Sequence, residues 1–297
     1  MKKVLVTGTK SYIGTSFIKW INESYKEDFE IKMIDLKNQN WKQEDFSEYD
    51  AMLYVAGLAH VDVGNVSEKD KMYYYEINRD LTLEVAAKCK KEGIRQFVFM
   101  SSMIVYGKNG DLNEKIVITN ETIPNPENFY GDSKWQAEKN LKKMQDETFE
   151  IAIIRSPMVY GKGSKGNYRT LVKIARKTVL FPDYINERSM IHIDNLCEFL
   201  YLLLMSGKGG IYFPQNEEYV ATIEIIKKIV QLSGHKIIIT KMLNPFVRFA
   251  GKMPKKISGL ANKAFGNLVY DQNMSKHFDG KYQVRNFDES IELTEGY

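Results

Sequence analysis

The sequence predicts a doubly wound α/β fold, in which helices cover both faces of a parallel sheet. Short apolar runs rich in β-branched residues recur through the first half of the chain, and longer segments with helical apolar spacing separate them. Apolar runs of this kind are typical of strands that are buried on both faces of a sheet. A glycine-containing turn also joins the first run directly to the first helical segment.

The elements of the first half follow from these patterns. Strands are predicted at 4–6, 31–34, 51–55, 97–100 and 151–154, and helices at 13–24, 72–91 and 131–144. After about residue 160 the pattern changes to a glycine-rich loop at 161–167, a helix at 168–177 and short mixed elements. We therefore expect a dinucleotide-binding domain at 1–160, with a return element at 190–205, and a smaller substrate-binding region at 161–297.

Composition and charge argue against a nucleic-acid-binding, a secreted or a membrane-spanning protein. The 42 Lys and Arg nearly balance the 38 Asp and Glu, and basic and aromatic residues form no interleaved patch, so we expect no nucleic-acid partner. Cys89 and Cys197 lie in helical patterns and are expected in the core, with no metal site. The start of the chain does not resemble a secretory signal, and the apolar run at 199–205 is far shorter than the roughly 20 residues of a membrane span. We expect a cytoplasmic protein that binds an anionic small molecule.

The turn after the first strand is a candidate dinucleotide site. A helix that begins here presents backbone N–H groups and the positive end of its dipole, both of which favour a pyrophosphate. Gly8 permits the tight turn and Gly14 permits close packing of the helix on the strand. The expected cofactor-binding residues of this turn are Gly8, Ser11, Tyr12, Ile13 and Gly14. An ordinary strand-to-helix turn is the alternative interpretation.

Asp35 indicates which dinucleotide is bound. It ends the second strand about 21 residues after Gly14, where a carboxylate can accept hydrogen bonds from the adenosine ribose. This favours NAD(H), because the 2′-phosphate of NADP(H) would meet the negative charge; Lys37 would offset part of that repulsion, so NADP(H) stays an alternative. A loop or capping aspartate is the other interpretation of Asp35. Ala56 and Gly57, after the third strand, would let the backbone pass close to the cofactor.

The catalytic candidates are Ser102, Tyr130 and Lys134. Ser102 ends a predicted strand, and 28 residues later Tyr130 opens a helix in which Lys134 is one turn further on. Residues four apart lie on one helix face, so we expect the Lys134 ammonium to lie near the Tyr130 phenol and to lower its pKa. Tyrosine can then move the proton of a secondary alcohol or ketone while the carbon exchanges hydride, and Ser102 can hydrogen-bond the oxygen.

These motifs resemble those of the extended short-chain dehydrogenases/reductases, in the NAD-dependent epimerase/dehydratase family, whose fold is of the Rossmann type. The resemblance covers nearly the whole chain, through TGTKSYIG at 7–14, VAGLAHV at 55–61, SSMIVYG at 101–107, YGDSK at 130–134, IIRSPMVYG at 153–161 and RSMIHIDNL at 188–196. It implies that Ser102, Tyr130 and Lys134 are the catalytic triad and that Asn78 supports the active site and the cofactor. Where Ser11 stands the family usually has glycine, so that side chain must either point away from the pyrophosphate or bind it.

The resemblance also extends to the binding of nucleoside-diphosphate sugars. It implies that Asn167 and Phe181 contact the substrate, Phe181 in a stretch that passes the uracil, together with Ser102 and Tyr130. Arg188 matches an arginine that pairs with the diphosphate, for which its planar guanidinium is well suited. A solvated surface arginine is the alternative. The second half, 161–297, is therefore expected to be a nucleotide-sugar-binding region.

Within the family, the sequence resembles capsule or O-antigen enzymes that reduce the C4 ketone of UDP-4-keto-6-deoxy-N-acetylhexosamines. The leading hypothesis is therefore an NAD(P)H-dependent reductase. A UDP-glucose or UDP-N-acetylglucosamine 4-epimerase with tightly bound NAD is the alternative. A dehydratase is disfavoured, because Met103 and Ile104 occupy the places where those enzymes usually have acidic residues. A protein that binds the cofactor without catalysis would be expected to lose Tyr130 or Lys134.

One further segment is chemically asymmetric. Between Glu224 and Asp271 there are nine Lys or Arg and no acidic residue, with Phe246, Phe249 and Leu260 among them. This pattern indicates either weak peripheral association with an anionic membrane or a solvated face that steers a charged substrate. The family resemblance also implies a homodimer formed through the helices at about 72–91 and 131–144.

Overall fold

The computed structural model describes residues 1–58, 66–107 and 110–296, with every side chain in these ranges except those of residues 167, 255 and 256. The chain divides into two compact units. The first comprises Met1–Gly107, Ile123–Ser156 and Leu196–Pro214, and the second Lys108–Thr122, Pro157–Asn195 and Gln215–Tyr297.

The described residues form twelve strands and ten α-helices. The strands are β1 (Lys2–Thr7), β2 (Phe29–Ile34), β3 (Ala51–Tyr54), β4 (Gln96–Ser102), β5 (Lys115–Ile118), β6 (Glu150–Ser156), β7 (Met158–Tyr160), β8 (Leu180–Pro182), β9 (Met190–His192), β10 (Gly210–Tyr212), β11 (Ile238–Thr240) and β12 (Asn267–Tyr270). The helices are α1 (Tyr12–Ser24), α2 (Glu68–Tyr75), α3 (Leu81–Lys91), α4 (Phe129–Met144), α5 (Asn167–Lys177), α6 (Ile193–Ser206), α7 (Thr222–Ser233), α8 (Asn244–Gly251), α9 (Lys255–Phe265) and α10 (Phe287–Glu295).

The first unit contains a six-stranded parallel sheet in the order β2-β1-β3-β4-β6-β10. The predicted Rossmann-type fold is therefore confirmed. The strand order reverses between β1 and β3, which is the point where open α/β sheets bind ligands at the carboxyl ends of their strands. The apolar runs that predicted the strands form the core: Val4, Leu5 and Val6 of β1 are completely buried, as are Phe97 and Phe99 of β4.

The helix predicted at 72–91 is interrupted in the structure. Helix α2 ends at Tyr75, a π-helical turn follows at Glu76–Asp80, and α3 begins at Leu81. Such turns place one extra residue in the helix and are frequent at functional sites. The prediction of one regular helix was wrong here, because one extra residue in a π-helical turn leaves no recognisable sign in the sequence.

The second unit is built from three short parallel strand pairs and helices. The pairs are β5 with β12, β7 with β9, and β8 with β11. Its core is formed by buried side chains from β7, α5, β8, β9, α7 and α10, among them Tyr160, Ala175, Phe181, Met190, Ile226 and Ile291.

The units do not follow the continuous ranges expected from the sequence. Residues 108–122 lie in the second unit, because β5 pairs with β12. Of the return element expected at 190–205, the part from Leu196 onward belongs to the first unit and the preceding residues belong to the second.

Cys89 and Cys197 are both buried, as the sequence predicted. Within the described ranges, none of the helices combines the length and apolar content that a bilayer crossing requires.

Candidate active site

The turn between β1 and α1 requires its glycine. Gly8 has φ of +78°, a left-handed conformation that residues with a Cβ rarely adopt, and a Cβ there would lie 3.0 Å from the Cβ of Ser11. Ser11 is the N-cap of α1, and its hydroxyl accepts a hydrogen bond from the Gly14 N–H at 3.4 Å. The serine that replaces the family's usual glycine therefore binds the start of its own helix. Tyr12 and Ile13 form the half-buried first turn of α1.

Thr7 holds the end of β3 beside this turn. Its hydroxyl accepts hydrogen bonds from the N–H groups of Val55 and Ala56, both at 3.0 Å. Both N–H groups just beyond the end of β3 are therefore hydrogen-bonded. The chain then continues past the carboxyl edge of the sheet through Ala56 and Gly57. The rest of this expected segment, 59–61, lies outside the described residues.

Asn78 fixes the backbone that follows β3. Its side chain is completely buried in the π-helical turn, where Oδ1 accepts from the Leu58 N–H at 2.8 Å and Nδ2 donates to the Leu58 carbonyl at 3.1 Å. Nδ2 also donates to the Ser133 hydroxyl at 3.2 Å. The side chain thus joins the segment after β3 to helix α4. A Cβ at Gly57 would lie 3.0 Å from Asn78 Oδ1, so glycine is the residue that fits there.

Asp35 follows β2 and is exposed, as a ribose-binding carboxylate must be. In the structure its Oδ1 accepts a hydrogen bond from the Lys37 N–H at 3.0 Å. This contact stabilises the turn after β2. The loop role considered for Asp35 is therefore present in the structure.

Helix α4 begins close against the turn that follows β4. Asn128 caps the helix by accepting a hydrogen bond from the Gly131 N–H at 2.9 Å. A Cβ at Gly131 would lie 2.8 Å from the Ile104 carbonyl oxygen, so glycine allows this close approach. The approach explains why Tyr130 is followed by glycine. The approach also brings Tyr130 and Lys134, which are one turn apart in α4, next to the end of β4.

Lys134 is buried and bound to β4. Its ammonium donates to the Met100 carbonyl at 2.9 Å and lies 4.6 Å from the ring centroid of Phe99. Burial lowers the pKa of Lys134 to about 8, although the negative charge of Glu138 acts in the opposite direction. A Cβ at Gly57 would lie 3.1 Å from the ammonium nitrogen, which places this cation beside the predicted cofactor segment.

Tyr130 and Ser102 are hydrogen-bonded through their side chains, and the ring of Tyr130 packs edge-on against Tyr74 with centroids 6.3 Å apart. Burial raises the pKa of Tyr130 to about 12, and the hydrogen bond with Ser102 reverses only part of that rise. The expectation of a net lowering of the pKa of this phenol is therefore wrong in this structure. The physical reason is that burial outweighs the other influences, and that the ammonium is bound to the Met100 carbonyl.

A buried ion pair lies directly behind Lys134, and sequence reasoning missed it. Glu138 is completely buried, and its Oε2 accepts from Arg155 Nη2 at 2.7 Å and from Nε at 3.0 Å. Arg155 Nη1 donates to the Tyr106 hydroxyl at 2.7 Å, and the Ser101 hydroxyl donates to Glu138. Ser101 is thus engaged away from Tyr130, which agrees with the choice of Ser102. The one signal in the sequence was a charged residue, Arg155, directly after the apolar run predicted as a strand at 151–154, where burial would require a partner of opposite charge.

The second unit holds the residues expected to bind the nucleotide-sugar. Phe181, in β8, is buried with its ring centroid 5.7 Å from that of Phe265. Arg188 Nη1 donates to the carbonyls of Asn262, Lys263 and Gly266, at 3.2, 2.9 and 3.3 Å, at the end of α9. Burial lowers the pKa of Arg188 to about 10. The side chain of Asn167 lies outside the described part of the structure.

The residues of the first unit fit a nicotinamide dinucleotide. Gly8 and Gly57 lie beside the switch point between β1 and β3. A Cβ at either position would occupy the space through which a dinucleotide approaches the backbone. The start of α1 supplies the positive end of a helix dipole, and Lys134 supplies a cation beside Gly57.

Comparison with known sequences agrees with this geometry. Residues 4–213 match the NAD dependent epimerase/dehydratase family. A UDP-glucose 4-epimerase of Vibrio cholerae is 25% identical over 250 residues, which cover 77% of this chain and 75% of that protein. The N-acetyl-alpha-D-glucosaminyl-diphospho-ditrans,octacis-undecaprenol 4-epimerase of Escherichia coli O157:H7 is 28% identical over 228 residues, covering 70% of this chain and 64% of that protein.

Solved structures share the fold over almost the full length. The UDP-glucuronic acid 4-epimerase of Bacillus cereus, in complex with NAD, has a TM-score of 0.74 at 17% identity and covers 99% of this chain and 96% of its own. The dTDP-4-dehydrorhamnose reductase of Bacillus anthracis, in complex with NADP, has a TM-score of 0.73 at 22% identity and covers 99% of each chain.

Proposed function

We propose, since the chain belongs to the NAD-dependent epimerase/dehydratase family, that it transfers hydride and a proton at C4 of a UDP-linked sugar. The observation that carries this proposal is the grouping of Ser102, Tyr130 and Lys134 where β4 ends and α4 begins. A hydrogen-bonding hydroxyl, a proton donor and a cation are what a ketone or alcohol oxygen needs when its carbon exchanges hydride.

Each of the three side chains has a distinct role in this proposal. NAD(H), with NADP(H) as the alternative, supplies or accepts the hydride when bound. Tyr130 gives its phenolic proton to the sugar O4, or takes the proton from O4 in the opposite direction. Ser102 donates a hydrogen bond to the same oxygen. Lys134 stabilises the phenolate that forms when the proton leaves, since opposite charge favours the ionised phenol.

Net reduction is the first candidate for the overall reaction. Burial keeps the Tyr130 phenol protonated at neutral pH, and a protonated group is what a C4 ketone needs as it becomes an alcohol, in a reductase and in the second half of an epimerisation alike. We therefore propose reduction of the C4 ketone of a UDP-4-keto-6-deoxy-N-acetylhexosamine, in the synthesis of a capsule or O-antigen precursor.

A 4-epimerase is the second candidate, and the relatives favour it. The V. cholerae and E. coli proteins described above are both named 4-epimerases. An epimerase uses the same three residues twice, first to remove the proton from O4 and then to return it after the ketone has turned over. The difference from a reductase is that no cofactor is consumed.

A dehydratase has less support, because the positions after Ser102 are apolar. Met103 is buried, and both Met103 and Ile104 belong to a short turn at Met103–Tyr106. Neither side chain can act as an acid or a base. The elimination of water across C5 and C6 therefore has no donor or acceptor at this place.

In the second unit, we propose that Arg188 binds the substrate diphosphate and that Phe181 and Asn167 line the path of the nucleotide. The support for Arg188 is its fixed orientation: one terminal nitrogen is held by carbonyl groups at the end of α9. A guanidinium held in this way loses little side-chain entropy when it binds a diphosphate. Burial also strengthens its attraction for an anion.

The phenol is tested by Tyr130→Phe. Removing the hydroxyl should lower kcat by about a hundredfold or more, the usual contribution of a proton donor, while the fold and cofactor affinity stay unchanged. Circular dichroism and a cofactor titration check the last two points. Tyr49→Phe, at a partly buried tyrosine of the first unit outside the candidate site, is the matched control. Activity of Tyr130→Phe within threefold of the wild type would contradict the assignment.

The net reaction is tested with two substrates. We expect a UDP-4-keto-6-deoxy-N-acetylhexosamine and reduced nicotinamide to be consumed in equal amounts. If instead UDP-glucose and UDP-galactose interconvert without added cofactor, and NAD copurifies with the chain, the epimerase is the correct candidate.

A further inference from the structure

Helices α8 and α9 carry large apolar side chains that are open to solvent. Four of these side chains belong to α8 and α9, and a fifth, Met242, lies two positions before α8. Their exposed fractions are Met242 82%, Phe246 69%, Phe249 63%, Ile257 44% and Leu260 66%. Single exposed apolar residues are common, but several on two consecutive helices that pack against each other are a feature of binding surfaces.

The opposite side of the two helices is anchored in the second unit. Val247 is buried in a small cluster with Leu112 and Tyr184, and Phe265 packs its ring against Tyr184 with centroids 5.8 Å apart. Both helices are therefore held by one face, and their outward residues do not belong to the core. Phe246 and Phe249 are exposed because they lie away from the side of α8 on which Val247 is buried.

Positive charge surrounds these apolar side chains. Lys241, Arg248, Lys252 and Lys263 are all exposed, and none of them takes part in an ion pair within the described ranges. The neighbouring Lys228, by contrast, pairs with Glu292 at 2.7 Å. The sequence has no acidic residue between Glu224 and Asp271, so α8, α9 and the residues between them supply no negative charge of their own. We call these four cations and the five apolar residues the apolar–basic face.

We propose that the apolar–basic face docks on an anionic phospholipid bilayer. Phenylalanine and leucine side chains can enter the boundary between headgroups and acyl chains, while lysine and arginine bind the lipid phosphates. A second copy of this chain is a poorer occupant, because a symmetric contact would bring the same cations together. The proposal goes beyond the C4 chemistry and does not depend on it, since the residues of the face have no part in the catalytic site.

Binding to vesicles tests the proposal directly. The full chain should sediment with phosphatidylglycerol vesicles and not with phosphatidylcholine vesicles. Raising NaCl from about 0.1 M to about 1 M, which shortens the Debye length from about 10 Å to about 3 Å, should release most of it. Equal binding to both lipids, or binding to neither, would overturn the proposal.

The charge component is tested by Lys241→Gln, Arg248→Gln and Lys252→Gln together. Each cation near an anionic surface contributes about fivefold to partitioning, so the triple variant should bind about a hundredfold more weakly. Lys19→Gln, Lys26→Gln and Lys208→Gln together, at three exposed lysines of the first unit, remove the same charge and should bind almost normally. If both triple variants lose binding equally, net charge alone is responsible and the face is not a docking site.

The apolar component separates insertion from simple ionic attraction. Phe246→Ser with Leu260→Ser should lower partitioning at least about tenfold, because two large apolar side chains no longer leave water. Ile123→Ser with Met205→Ser is the control at exposed apolar residues elsewhere. Unchanged binding of the Phe246→Ser and Leu260→Ser variant, or equal binding of the wild type to soluble polyglutamate, would overturn a membrane as the occupant. Activity on a dissolved nucleotide-sugar should be the same in all four variants, so a failure here is distinguishable from a failure of the proposed reaction.

Discussion

At the scale of single residues, burial controls the charge of both groups at the centre of the site. It disfavours the charged form of each, so the pKa of Tyr130 rises to about 12 and the pKa of Lys134 falls to about 8. The phenol therefore holds its proton throughout the physiological range. Lys134, however, loses its charge only slightly above neutral pH, and the site then lacks the cation that stabilises a phenolate.

The first prediction concerns pH. The value of kcat/KM should fall as pH rises through about 8, because Lys134 is charged below its pKa and neutral above it. In Lys134→Arg the guanidinium stays charged at every accessible pH, so any remaining activity should not show this decline. Rates measured between about pH 6 and about pH 10 check both points. A wild-type profile that stays level over this range would contradict the role of Lys134.

The second prediction concerns Gly57. In Gly57→Ala the new Cβ would lie 3.0 Å from Asn78 Oδ1 and 3.1 Å from Lys134 Nζ, so both polar side chains must move. Displacement of a positioned group by a fraction of an ångström costs up to about a hundredfold in rate. We expect weaker cofactor binding and a kcat at least about tenfold lower, measured by titration and by initial rates.

Gly259→Ala is the matched control for Gly57→Ala. No heavy atom lies within 4 Å of a Cβ placed at Gly259, and this residue is inside helix α9, where alanine is the better helix former. This variant should keep full activity and gain up to about 1 kcal/mol of stability. Wild-type cofactor affinity in Gly57→Ala would show that the backbone there does not approach the cofactor.

At the scale of elements, helix α4 combines catalysis with a buried ion pair. Lys134 and Glu138 are one turn apart, and Glu138 holds Arg155 of β6 by three hydrogen bonds. The pair therefore ties α4 to the sheet directly behind the catalytic lysine. Its negative charge also raises the pKa of Lys134 against the effect of burial.

The third prediction is that Glu138→Gln destabilises the first unit. The variant would leave the Arg155 guanidinium buried without its carboxylate, which typically costs about 3–5 kcal/mol. Urea unfolding measures this loss. The decline of kcat/KM should also move to lower pH, because the pKa of Lys134 loses the contribution that raises it. Glu138→Leu with Arg155→Met should regain part of the stability, because the charge of Arg155 is removed together with its carboxylate partner.

Strands and helices were predictable where the hydrophobic pattern of their own residues is sufficient to identify them. The strands β1 to β4 and β6 lie within a few residues of the apolar runs that predicted them, because strands buried on both faces require such runs. The π-helical turn at Glu76–Asp80 was not predictable, since it inserts a residue without changing the apolar pattern on either side. Asn78 could be identified as a functional residue only through the family resemblance, and its hydrogen bonds to Leu58 and Ser133 required the structure.

At the scale of the whole molecule, contacts between distant parts of the chain escaped sequence reasoning. Strands β5 and β12 pair although about 150 residues separate them, and each has only four residues. Arg188 is held by carbonyl groups 74 to 78 residues further along the chain. A segment of four residues has too few positions for its hydrophobic pattern to identify a pairing partner that is far away in the sequence. The parallel sheet itself, by contrast, was predicted, because apolar strand-like runs alternate with helical segments in the first half of the sequence.

The fourth prediction concerns assembly. Met72 and Tyr73, at the middle of α2, are 66% and 51% exposed. We expect the helices at about 72–91, which are the end of α2 and α3, and at about 131–144, in α4, to form a symmetric dimer interface that covers these side chains. Sedimentation equilibrium should therefore give twice the chain mass of 34.4 kDa.

Aspartate substitutions test this interface. In a two-fold contact each new carboxylate lies near its own symmetry mate, so Met72→Asp with Tyr73→Asp introduces repulsion and should give a monomer. Ile123→Asp with Met205→Asp adds the same charge at exposed apolar positions outside α2 and α4 and should leave the dimer intact. A wild-type chain that sediments as a monomer would contradict the prediction, as would a dimer that survives both α2 substitutions. Because Tyr74 packs on Tyr130, loss of the dimer should also lower kcat, whereas the control variant should retain the wild-type rate.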